Sequence, residues 1–229
     1  MKRSLLFIAA LLFLSNCRSL KISDFHQQSP VSNPVPPLAL KVHTESFAAQ
    51  FAGEMLEDAV TNAAVAGVVW IPSPYEVYTQ VGEPLRDVFT LLGNELSDNI
   101  METSGTRYGQ VRFKLLYYNK TAPGWGWIFP SLLTLNIANL AGMPFTKYRT
   151  DLELQMEILD TRQQVIARYR APGSGKSTVA LYYGYSGPDA FRKANLLALQ
   201  EAMRGIRHKM EPDLANLREN LLAAGPETK

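Results

Sequence analysis

The spacing of hydrophobic positions changes several times along the chain, and each change predicts an element. "LALKVHT" sets Leu38, Leu40 and Val42 against Ala39, Lys41 and His43, the two-residue period of a half-buried strand. Glu45 to Ala64, rich in Ala, Glu, Met and Phe, reads as a helix, and "VAGVVWI" as a short strand stopped by Pro72 and Pro74. Leu85, Val88, Phe89, Leu92, Leu96 and Ile100 then recur at steps of three and four, which predicts a helix over Glu83–Thr103. "YGQVRFKLLYY" returns to alternation through Val111, Phe113, Leu115 and Tyr117. "RTDLELQMEILD" repeats it with Leu152, Leu154, Met156 and Ile158, and the polar turn "DTRQQ" leads into "VIARYRA" as a hairpin.

Near the end the helical period returns. Ser186 or Gly187 can cap a helix whose first turn holds Pro188 and Asp189, and whose apolar stripe is Leu196, Leu199, Met203, Ile206 and Met210. Ala194, Ala198 and Ala202 widen one side of that stripe and permit close approach to a sheet. Pro212 ends the helix, and "DLANLRENLLAAG" adds a short one before a polar tail at 225–229. Together these elements predict a single α+β domain over 38–224, a mostly antiparallel sheet with helices packed mainly on one face.

Composition narrows the class. The 229 residues are 46% hydrophobic and 19% charged with net charge +2, so the chain can bury a core and lacks the basic stripe of a nucleic-acid binder. A single cysteine excludes an internal disulfide framework. His26, His43 and His208 stand far apart, without metal-ligand spacing.

The stretch "RAPGSGKSTV", 170–179, resembles the end of a phosphate-binding loop. Such a loop needs a glycine five residues before the last one, and that position holds Arg170. The strand before it is half-exposed, with Arg168 and Arg170 alternating with Ala167, Tyr169 and Ala171, unlike the buried strand of a nucleotide-binding fold. The following "STVALYYGYSGPDA" is a poor helix. Gly173, Gly175 and Lys176 are therefore expected in a glycine turn joining two antiparallel strands, the second over Thr178–Tyr185, with no ATP bound.

The N-terminus carries an address. Lys2 and Arg3 precede an apolar run from Leu5 to Leu14, then Ser15, Asn16 and Cys17, the three-part layout of a secretory signal peptide over 1–16. The run is about half the roughly 20 residues that a spanning helix needs. Leu14-Ser15-Asn16-Cys17 resembles the lipobox of bacterial lipoproteins, with Asn16 where most carry Gly or Ala, a departure found among the more permissive spirochaete lipoproteins. The resemblance implies cleavage before Cys17, fatty acylation there, and anchoring in a lipid bilayer. Residues 17–37, with prolines at 30, 34, 36 and 37, read as a proline-rich tether. Arg18 in place of Asp leans the implied location toward the outer membrane, facing the periplasm.

Residues 121–145 form an apolar insertion, with no charge between Lys120 and Lys147. Pro123, Pro130 and Pro144 argue against a membrane span. Either the short piece Ser131–Ala141 is a buried helix over the sheet, stopped by Gly142 and Pro144, or the stretch is a surface on which Trp125, Trp127, Ile128, Phe129, Leu132 and Leu133 meet lipid or a protein partner.

No catalytic motif emerges, and Glu153, Glu157 and Asp160 are expected on a solvated strand face and turn. Lipobox, tether, strands and the closing "YYGYSGPDAFRKANLLALQEAM" helix together resemble small periplasm-facing accessory lipoproteins of secretion and lipid-transport systems. That resemblance implies a non-catalytic, cofactor-free binding or assembly module with an envelope protein partner. The alternative is a carrier that lines a lipid site with residues 121–145.

Overall fold

The computed structural model describes residues 20–25, 30–43, 45–47, 82–121, 144, 146–180 and 187–227. Four strands form one sheet in the order β1-β2-β3-β4: β1 Ala39–Val42, β2 Gln110–Thr121, β3 Thr146–Leu159 and β4 Val165–Val179. β2, β3 and β4 pair antiparallel, and β1 adds in parallel to β2. The architecture is the expected α+β class with a mostly antiparallel sheet. A parallel pair needs a crossover, and the connection from β1 to β2 carries helix α1, Gly82–Glu95. Helix α2, Gly187–Met210, lies across β3 and β4, and after a 3-10 turn at Glu211–Asp213 the chain closes with α3, Leu214–Ala224.

The alternating patterns place the core as expected. Val111, Phe113, Leu115, Leu152, Leu154, Met156 and Ile158 are buried on one face of the sheet, and Leu196, Leu199, Met203, Ile206 and Met210 of α2 are buried in turn. A bulge between Leu115 and Tyr117 breaks the alternation in β2. Tyr117 is consequently 50% exposed, while Tyr118 turns inward and donates to Asn195 Oδ1 on α2 at 3.1 Å. Thr150 Oγ1 donates to the same oxygen at 2.7 Å, so one buried amide fixes α2 against two strands.

Three expectations are corrected. The first is the turn at Gly173, Ser174 and Gly175, which is the interior of β4: Gly173 pairs with Leu152 and Gly175 with Thr150. The glycines serve packing. A Cβ on Gly173 would stand 1.9 Å from the Ala198 carbonyl oxygen, and one on Gly175 would stand 1.8 Å from that of Ala194. The same closeness holds at Gly205, where a Cβ would fall 2.8 Å from that of Ala171. Backbone of α2 thus rests on backbone of β4, with Ala and Gly as the only residues short enough.

The second correction concerns the tether. Leu20, Phe25, Val31 and Val35 are buried members of the core. Val31 N–H donates to Asn99 O at 2.8 Å and Val35 N–H to Ile100 O at 3.0 Å. These acceptors lie in a π-helical turn, Leu96–Ile100, which extends α1 and closes with Met101 N–H donating to Leu96 O at 2.9 Å. Arg218 Nη1 of α3 binds both Pro34 O at 2.6 Å and Glu102 Oε1 at 2.7 Å. Proline in 30–37 therefore shapes a packed strap: its hydrophobic residues, one every few positions, were enough to join a core that other elements had already formed. The third correction is that Glu157 and Asp160 are buried, at 9% and 8% exposure. Asp160 Oδ1 accepts from the Arg162 and Gln164 amides at 2.8 Å and so organises the hairpin turn, in which Gln163 takes a left-handed φ of 64°.

The long free edge of β4 is closed from α2. Ser174 N–H donates to Glu201 Oε2 at 2.8 Å, and Lys209 Nζ donates to Arg170 O at 2.5 Å. Pro172, between them on the same side of the strand, has no N–H to offer. These devices keep another strand from adding there. Tyr169, from the buried face of β4, donates its hydroxyl to Asp213 Oδ2 at 2.9 Å, and burial, then that carboxylate, pushes its phenol pKa well above the usual range.

Gly175→Ala should destabilise the fold by about 3 kcal/mol or more, because the clash is with helix backbone that cannot rotate away. Lys176→Ala, one residue on and exposed, should stay within about 0.5 kcal/mol of the parent in urea denaturation. Tyr169 binds its proton more tightly when folded. Its contribution is thus complete below the unfolded value of about 10 and is lost as pH rises past it. Tyr169→Phe should cost about 1 kcal/mol at neutral pH and show less alkaline loss in the same assay.

Candidate functional site

Cys17 and the contact candidates Trp125, Trp127, Ile128, Phe129, Leu132 and Leu133 lie outside the described residues, as do the predicted strand at 65–71 and most of the helix expected over Glu45–Ala64. Gly173, Gly175 and Lys176 lie in β4, where the glycines face α2 and Lys176 faces away from it. His43 follows β1 and His208 stands exposed on α2. Among the described residues, no three His, Cys, Asp or Glu side chains are grouped to hold a metal ion.

Two open grooves flank the strap. One, of about 410 Å³, runs between Pro30, Val31 and the π-helical turn at Ser97, Asp98 and Asn99. The other, of about 590 Å³, lies between Pro30, Pro172 and the side of α2 that bears Arg204, His208 and Lys209. Much of the charge in both is committed: Glu102 of the first pairs with Arg218 at 2.7 Å, and in the second Arg207 pairs with Glu95 at 3.3 Å and Lys209 caps Arg170 O.

The most organised polar chemistry lies on the sheet face that turns away from α2. Strand alternation puts Arg112 and Lys114 of β2, Gln155 and Glu157 of β3, and Arg168 and Arg170 of β4 on that one face. Their side chains form a chain of hydrogen bonds. Arg170 Nε donates to Gln155 Oε1 at 2.6 Å, Gln155 Nε2 to Glu157 Oε1 at 2.9 Å, and Arg168 Nε to the same oxygen at 2.9 Å. Arg112 Nη1 stands 3.9 Å from Glu157 Oε2. One nearly buried carboxylate therefore sets the direction of two arginines directly and a third through an amide.

Farther along the face the charges pair off. Arg149 grips Asp151 through Nε and Nη2 at 2.8–3.1 Å, and that hydrogen bonding holds the Asp151 carboxyl below the usual carboxylate range. The cationic half thus lies toward the hairpin end. Sequence reading recognised Arg168 and Arg170 as a half-exposed strand but missed the cluster, because strand register across non-adjacent segments decides which residues meet. The one available signal was the alternation of Arg and Lys in two strands, on the polar side of each.

The scan of protein families matches no model to this chain, and no curated protein matches it.

Glu157→Ala would leave Arg112 and Arg168 without their shared partner. With both arginines partly solvated, the expected cost is about 1–2 kcal/mol in chemical denaturation, against less than about 0.5 kcal/mol for Lys114→Ala.

Proposed function

We propose that the chain is a membrane-anchored envelope lipoprotein, acylated at Cys17 after loss of residues 1–16, that works as a non-catalytic binding or assembly module. Its place is the outer membrane, facing the periplasm. The observation that carries the reading is how close to Cys17 a core residue stands. Leu20, three residues beyond Cys17, is already a core residue at 8% exposure. Three residues span at most about 10 Å, so an acyl group at Cys17 would hold the body of the protein directly at the bilayer surface. A short link of this kind suits a module that presents a fixed face to a partner.

The strap makes that presentation rigid. Gln200 of α2 donates to Phe25 O at 2.9 Å, and Arg218 of α3 holds Pro34, so the anchored end is tied to two helices. A module anchored this way cannot swing far from its lipid.

Labelling the expressed chain with a clickable fatty acid tests the reading. Label is expected in the parent and absent from Cys17→Ser, with the parent in the membrane fraction and the variant released from it. Label in neither, with both chains in the soluble fraction, would contradict the anchor.

A further inference from the structure

The strand register extends the cationic cluster to the sheet's other edge. Lys41, Arg112, Glu157 and Arg168 stand in one row across all four strands, and Lys114, Gln155 and Arg170 in the next. With strands about 4.8 Å apart and like-facing residues about 6.8 Å apart, the patch measures about 14 by 7 Å. Five cations share it with one carboxylate, in a chain whose whole net charge is +2.

That carboxylate is already engaged. Glu157 takes Arg168 Nε and Gln155 Nε2 on one oxygen and faces Arg112 with the other. Arg168 and Arg170 are each tied through Nε, which leaves the Nη groups of both with no partner among the described residues. Lys114 is exposed, and its side chain makes no hydrogen bond among the described residues. Arginine forks held at the base and open at the tip are prepared for bidentate binding of carboxylates, with part of their rotamer entropy already lost in folding.

The direction of this face selects the occupant. Gln200, which holds the strap, is two residues and so about 200° around α2 from Ala198, which packs on β4. Phe25 therefore lies across α2 from the sheet, and on the anchored reading the cationic face points away from the bilayer.

We infer that this face docks an acidic protein partner, whose carboxylates meet Arg112, Lys114, Arg168 and Arg170; the choice of protein over lipid rests on the anchored reading. Contact is made by side chains over the face, because the β4 edge is closed by Pro172, Glu201 and Lys209. Glu157 is a positioning residue in this arrangement.

The test uses the full chain in detergent, titrated with fluorescent poly-L-glutamate, while intact mass records acylation separately. Arg168→Gln with Arg170→Gln should weaken binding at least about tenfold, equivalent to about 1.4 kcal/mol. Lys114→Glu, which breaks no hydrogen bond of the fold, should weaken it severalfold, and Lys21→Glu on the strap should leave it unchanged. Glu157→Gln removes the one negative charge of the patch but loosens the forks, so it should also weaken binding. Tightening in Glu157→Gln, or equal effects of Lys114→Glu and Lys21→Glu, would overturn the inference. So would patch variants that change only the preference for phosphatidylglycerol over phosphatidylcholine vesicles, since the face would then read lipid. An unacylated chain that still shows patch-dependent binding would keep the face and lose the anchor. An acylated chain with patch-independent binding would do the reverse.

Discussion

The close approach of α2 to β4 is the constraint on which the rest of the structure depends. Packed layers of secondary structure normally stand about 10 Å apart, separated by side chains on both sides. Here Gly173 and Gly175 remove the side chains of the strand, while Ala194, Ala198, Ala202 and Gly205 minimise those of the helix. Little tolerance remains, so the position of α2 is set by backbone shape. Asn195 then bonds Tyr118 and Thr150. On the other sides of the helix Arg192 grips the buried Asp87 of α1, and Gln200 holds the strap. From the same fixed position Glu201 and Lys209 reach round to close the β4 edge.

A sheet covered this firmly on one face is free to specialise the other. Its inner residues carry the packing, so the outer positions of β2, β3 and β4 can hold arginine, lysine, glutamine and glutamate without loss of core. The buried Glu157 organises those cations at a cost in solvation that its hydrogen bonds offset. In the proposed setting Phe25, near the anchor, and the cationic face lie on opposite sides of α2, an arrangement that holds a module at one surface while offering it to a partner beyond.

Much of the fold was legible because it rests on local period. β2, β3 and the hairpin turn follow from alternation, and the stripe of α2 from steps of three and four, including the alanine side that lets it come close. Where reading failed, the deciding contacts were distant in sequence. Gly173-Ser174-Gly175 looks like a turn in any local window, and only the carbonyls of Ala194 and Ala198 explain its place in a strand. Residues 30–37 look like a tether for the same reason, since the groups that hold them are the backbone carbonyls of Asn99 and Ile100 and the guanidinium of Arg218. The bulge at Leu115/Tyr117 exchanged the faces of two tyrosines, a one-residue shift that no periodicity marks in advance. The cationic cluster needed the register of four strands.

Native-state hydrogen exchange tests the central claim most directly. Ser174 N–H turns outward to Glu201, so the amides of Gly173 and Gly175 turn toward β3 and lie under α2. If backbone contact with α2 holds this strand, those two amides and the amides of Ala198 and Ala202 should exchange only through global unfolding, with one shared opening free energy. Rapid exchange at Gly173 and Gly175, with slow exchange retained at Leu154 and Met156, would mean that the glycines form a local loop and that α2 is positioned by something else.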